Sequence, residues 1–129
     1  FNPLYVIREK PKRTRLAEKV PVMENDSHQL IELKAQRQPI GIHEVETEFT
    51  TTIFQLQKGD ALYMFSDGFY DQIGGPKAKK FLSRNFKRFL LEIQLMDMKE
   101  QQRQLSRTLD EWSEGYEQVD DILVVGMKV

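Results

Sequence analysis

The residues best suited to chemistry in this chain are carboxylates set at the ends of apolar runs. Ser66-Asp67-Gly68 stops the run Ala61-Leu62-Tyr63-Met64-Phe65, and Val119-Asp120-Asp121 precedes the run Ile122-Leu123-Val124-Val125. Carboxylate oxygens are the preferred ligands of hard cations such as Mg²⁺ and Mn²⁺, which keep several waters when bound. If the two runs are antiparallel neighbours, the exit of the first and the entrance of the second share one sheet edge. Asp67 and Asp120 then converge and can share a cation. Gly68 lets the backbone turn sharply without a Cβ. Asp71, four residues after Asp67, supplies a supporting carboxylate or a ligand to an additional metal if Phe69 and Tyr70 bend into a helical turn. Each motif by itself also fits a plain surface turn or a solvated strand cap, so the reading rests on the pair.

Composition narrows the alternatives. The 129 residues amount to about one domain. With no cysteine, a disulfide scaffold, a zinc ribbon and a cysteine nucleophile are excluded together. Nineteen basic residues against twenty acidic ones leave a net charge of -1, which argues against nucleic acid as a partner. The basic run from Arg8 to Arg15, broken by Pro11, therefore reads as a solvated hairpin tip. A second basic cluster, Lys77, Lys79, Lys80, Arg84, Lys87 and Arg88, reads as the wet face of a helix that can steer a phosphorylated partner toward the carboxylate edge. His28 and His43 have no acidic or serine partner at an informative spacing. Asn25-Asp26-Ser27 reads as a turn. No apolar run approaches the ~18 residues of a membrane span, and no signal peptide is present, so a soluble, cytoplasmic domain is expected.

Aromatic and β-branched residues predict strands over 4–8, 29–34 and 49–57. The turn Lys58-Gly59-Asp60 leads into 61–65, whose unbroken apolar character predicts burial on both faces. Gln38-Pro39-Ile40-Gly41-Ile42 is a break. A helical pair is predicted over about 85–95 and 98–113. Asn85 caps the first, with Phe86, Phe89, Leu90 and Ile93 on one stripe. Asp97 and Glu100 have capping-box spacing for the second, which carries Met98, Leu105, Leu109 and Trp112 and ends before Gly115. A final buried strand is predicted over 122–125. Strands, then a helical pair, then one strand predict an α+β fold with mostly antiparallel pairing. The chain opens directly on an apolar strand at Phe1, without an initiator methionine, which predicts a portion of something longer.

The block from Lys58 to Gly75 (KGDALYMFSDGFYDQIGG), with Asn2-Pro3-Leu4-Tyr5, Gln38-Pro39-Ile40-Gly41, Lys80-Phe81 and Gln118-Val119-Asp120-Asp121-Ile122, resembles the SpoIIE-like bacterial serine/threonine phosphatases of the metal-dependent protein phosphatase 2C superfamily. The resemblance implies part of an αββα sandwich and a pair of Mn²⁺ or Mg²⁺ ions at one sheet edge. It also implies hydrolysis of phosphoserine or phosphothreonine on a signalling protein, typically an anti-sigma-factor antagonist, under an upstream sensor or repeat module. Asp67 matches the ligand of the family's Asp-Gly block, and Asp120 the ligand before the last strand, where many relatives have Asp-Asn with Asp121 in second place. Asp71 matches an acidic position near an additional metal. The family's other metal-binding Asp and its Asp-Gly-His-Gly-like block have no counterpart, so residues 1–129 are expected to be the C-terminal portion of the catalytic domain. Weak metal binding, little activity and an open apolar sheet face prone to homodimerisation follow from that expectation. The alternative reading is a catalytically silent, SpoIIE-like interaction domain.

Overall fold

A computed structural model of the chain describes residues 2–11, 21–36 and 48–129. Most of the basic run, the break at 38–42 and His43 lie outside the described residues. Aromatic and β-branched residues build β1 (Leu4–Glu9), followed by β2 (Met23–Glu24), β3 (His28–Leu33) and β4 (Ala61–Phe65). Then come α1 (Gly68–Asp71), a small hairpin of β5 (Ile73–Gly74) and β6 (Lys79–Lys80), α2 (Ser83–Glu92), α3 (Met98–Trp112) and β7 (Val124–Lys128). The main sheet has the order β2-β3-β1-β4-β7, and every pair in it is antiparallel. The α+β, mostly antiparallel reading therefore holds. Among the described residues no helix is long and apolar enough to cross a membrane.

One face of the sheet carries the core. Tyr5, Ile7, Leu30, Ala61, Tyr63 and Phe65 are buried there against Phe86, Leu90, Leu91 and Ile93 from α2 and its C-cap. Rings continue the contact outward. Phe65 meets Phe86 edge-on at 5.2 Å, Phe86 lies 4.9 Å from Phe69, Phe69 meets Phe81 at 5.5 Å, and Phe81 meets Trp112 of α3 at 5.4 Å. Burial of an aromatic such as Phe69 stabilises by about 1.5–3 kcal/mol, enough to pin the single turn of α1 to the core. Tyr63 ends a second, polar thread: its hydroxyl donates to Gln101 Oε1 and accepts from Gln94 Nε2 at 2.6 Å, all three residues buried.

Several sequence expectations need correction. Residues 49–57 form no strand: Phe49 and Ile53 are exposed, and among the described residues the segment finds no ladder partner despite its β propensity. Strand β4 is buried on one face only, with Met64 57% exposed on the other. The last strand begins two residues later than expected and lies at the sheet edge, so Val125 and Met127 are exposed rather than buried. The first helix starts at Ser83, not after Asn85. The chain turns at Leu82, which has φ +76°, while Asn85 Nδ2 donates back to the Phe81 carbonyl at 2.6 Å. The second helix starts as expected, Asp97 accepting the Glu100 N–H at 2.8 Å.

Candidate metal centre

Strands β4 and β7 pair antiparallel over Ala61↔Lys128 to Phe65↔Val124, so the residues after Phe65 and before Val124 leave the sheet at the same edge. Ser66 fastens them. Its N–H donates to the Leu123 carbonyl (3.0 Å), its Oγ donates to the Asp121 carbonyl (2.7 Å), and the Leu123 N–H donates to the same Oγ (2.9 Å). The next close approach is at Gly68. A Cβ there would lie 2.3 Å from the Asp121 carbonyl oxygen, so the turn holding Asp67 can sit against the Asp121 backbone only with glycine at this place. The two loops thus meet backbone to backbone at Ser66, Gly68 and Asp121.

Asp67 is the N-cap of α1, yet its side chain accepts no capping bond. Among the described residues no lysine or arginine pairs with Asp67, Asp120 or Asp121. Asp120 is exposed, and its Oδ1 accepts the Asp121 N–H at 2.7 Å. Asp121 is exposed as well, contributing its carbonyl to Ser66. Phe69 and Tyr70 do bend into a helical turn, and the Asp71 N–H donates to the Asp67 carbonyl at 2.9 Å. The Asp71 carboxylate turns to Lys80, with Nζ at 3.1 Å across a half-exposed pair. The Tyr70 hydroxyl donates to Asn2 Oδ1 (2.9 Å), and its pKa is raised by burial first and then by the charges of Asp67 and Asp71. A protonated phenol thus borders the carboxylates.

The donor set is chemically suited to a hard cation: carboxylate oxygens, a half-exposed to exposed edge, and no basic side chain on Asp67, Asp120 or Asp121. It is also short, because among the described residues no group of three or more His, Cys, Asp or Glu side chains is placed to hold a metal. His28 takes no part. It stands at the start of β3, its Nδ1 2.8 Å from Ser27 Oγ. Within the basic cluster, Lys80 is paired with Asp71 and Lys87 with Glu32 at 2.7 Å, while Lys77, Lys79, Arg84 and Arg88 are exposed. Sequence reasoning passed over Ser66 and Gln72. A serine directly before Asp-Gly at a strand exit was a usable signal. Gln72, 1% exposed, gave none, since a glutamine after a short turn normally faces water.

Residues 17–129 match the family described as stage II sporulation protein E (SpoIIE). Among solved structures, the SiaA-PP2C domain of Pseudomonas aeruginosa is similar at 30% identity and a TM-score of 0.68. The match covers 78% of this chain and 39% of that one. No curated protein matches the chain.

Proposed function

Because the chain belongs to the SpoIIE family, we propose that it forms part of a metal-dependent protein serine/threonine phosphatase, in which Asp67 and Asp120 hold Mn²⁺ or Mg²⁺ and Asp71 and Asp121 support them. The observation that carries this reading is the unspent Asp67 carboxylate, neither capping nor ion-paired among the described residues, on a turn locked against the Asp121 backbone. Cations bound at this edge supply an activated water and neutralise phosphoryl charge. Gly68 sets the separation of the two acidic loops. Tyr70 contributes a neutral hydroxyl beside them.

Asp67 and Asp120 fall short of a binuclear ligand set, since among the described residues no three acidic or histidine side chains are grouped to hold a metal, and the chain spans 39% of the SiaA-PP2C chain it matches. The remaining ligands are accordingly proposed to come from other parts of a complete catalytic domain, with residues 1–129 as its C-terminal portion. By themselves these residues bind metal weakly and hydrolyse little. The exposed outer face of β4 and β7, with Met64, Val125 and Met127, suits a second apolar layer or, failing that, a second copy. The substrate is a phosphoserine or phosphothreonine on a regulatory protein, an anti-sigma-factor antagonist being the kind the resemblance implies.

The test is Asp67→Asn in the full-length protein. Mn²⁺-dependent hydrolysis of p-nitrophenyl phosphate should fall by at least a hundredfold while the thermal midpoint stays within about 2 °C, the side chain being free of structural bonds. Normal turnover in that variant would remove Asp67 from the centre. Metal-independent behaviour of the wild type would favour the interaction-domain alternative.

A further inference from the structure

The loop from Glu117 to Leu123 carries Asp120 and has almost no packing of its own: every residue in it except Ile122 is exposed. It is nevertheless held at two points, both by residues that flank Asp67. Ser66 holds 121–123, as described above. At the other end stands Gln72, first residue after α1. Its Nε2 donates to the Glu117 carbonyl (2.9 Å) and to its neighbour Ile73 (2.9 Å), and the Val119 N–H donates to its Oε1 at 3.4 Å. The Gln72 side chain is 1% exposed, and its backbone is fixed as well. Its carbonyl accepts Trp112 Nε1 and the Phe81 N–H, both at 3.0 Å, and its N–H donates to Gly68 (3.0 Å).

From this we infer that Gln72 is a positioning residue: it clasps the Glu117–Val119 segment to the end of α1, so that Asp120, suspended between Gln72 and Ser66, is presented to Asp67 at a fixed separation. The metal consequence of the clasp rests on the reading of Asp67 and Asp120 as ligands; the clasp itself does not. A primary amide fits the task where a carboxylate does not, since two of its three partners are carbonyl acceptors that require a donor. A mobile Asp120 would bind a cation at an entropic cost that the clasp removes beforehand.

The experiment uses the full-length protein with Gln72→Met, which keeps an unbranched chain of similar length and deletes the amide. Amide hydrogen exchange should accelerate at Val119 and across 117–123, by about fivefold or more for each bond lost, with α2 unchanged. Mn²⁺ binding, followed by the electron paramagnetic resonance of the free ion, should weaken about tenfold, and activity at saturating Mn²⁺ should recover most of the wild-type value. Unchanged exchange across 117–123 would overturn the clasp. Faster exchange with unaltered Mn²⁺ affinity would overturn its role at the metal. Wild-type protein that binds no Mn²⁺ would sink the metal reading instead, and the exchange difference would still decide the clasp. Should Gln72→Met fail to fold, the wild type alone decides: the Val119 amide must exchange more slowly than those of Gln118 and Asp120, and equal rates refute the inference.

Discussion

Replacing Gly68 by alanine tests the closeness of the two acidic loops directly. The added methyl would stand 2.3 Å from the Asp121 carbonyl oxygen and 2.9 Å from its carbon, where ordinary contact begins at 3.4 Å. One backbone must therefore retreat by roughly 1 Å, a shift of the size that overpacked sites accommodate only with strain. Neither side gives easily. The Asp121 carbonyl is tied to Ser66 Oγ, and Gly68 opens a turn anchored by Phe69, which is 2% exposed. Overpacking costs about 1–3 kcal/mol, and each Ser66 bond lost in the retreat costs about 1 kcal/mol more. At about 2.1 cal/mol/K of unfolding entropy per residue, a loss of 2–4 kcal/mol lowers the melting midpoint of a chain this size by roughly 7–15 °C. Circular dichroism melts at fixed concentration give that number. Ser66→Ala frees the Asp121 carbonyl, so the penalty of Gly68→Ala should shrink in its presence, a coupling that a double-mutant cycle reads. A Gly68→Ala protein melting within 2 °C of wild type would refute the tight approach on which the proposed pairing of Asp67 with Asp120 depends.

Two further outcomes follow from groups away from the centre. Asp60 is 1% exposed and accepts from Arg8 Nε (2.8 Å), Arg8 Nη2 (2.7 Å) and the Gln57 N–H (2.8 Å), so Asp60→Ala should cost about 3–5 kcal/mol in urea melts; a loss under 1 kcal/mol would show the pair to be idle. His28 has its pKa lowered chiefly by burial and also by Lys128, against an opposing pull from Glu9. The unfolded chain thus takes up the proton first as pH falls, and stability should decline on going below about pH 6.5. His28→Gln should flatten that limb of the stability profile, and an unchanged slope would exclude His28 as its source.

The accuracy of the sequence reading varied with the kind of force at each place. Strand β4 matches its expected bounds because an apolar run lies between two turn signals, Lys58-Gly59-Asp60 and Ser66-Asp67-Gly68. The start of α3 was legible because capping is local chemistry within four residues. Residues 49–57 misled because β propensity describes a fit to a neighbouring strand, and among the described residues no such neighbour lies there. The offset of β7 has a specific cause: the Leu123 N–H and the Asp121 carbonyl are taken by one serine hydroxyl, so regular pairing starts only at Phe65↔Val124. Apolar character alone could not show that Met64 faces outward, because alternation is invisible in a run where every residue is apolar. Gln72 was illegible for a different reason. Its two partners in the 117–119 segment lie 45 and 47 residues away, and only the fold brings them to it.

Asp97 and Asp67 show how backbone conformation assigns one residue type two tasks. Both are helix N-caps. Asp97 is extended, φ −69° and ψ 163°, the conformation in which a short carboxylate reaches the amides of the first turn, and its Oδ1 accepts the Glu100 N–H. Asp67 already has helical backbone angles, φ −72° and ψ −16°, and accepts no capping bond. That conformation follows from the approach of Gly68 to Asp121 and from the burial of Phe69, which together wind the chain immediately after β4. A carboxylate deprived of its ordinary local partner, and left without a lysine or arginine among the described residues, has oxygens available for the cation proposed above. The tight turn thus both places Asp67 beside the Asp120 loop and leaves it unengaged, joining the packing of Gly68 to the chemistry proposed for the site.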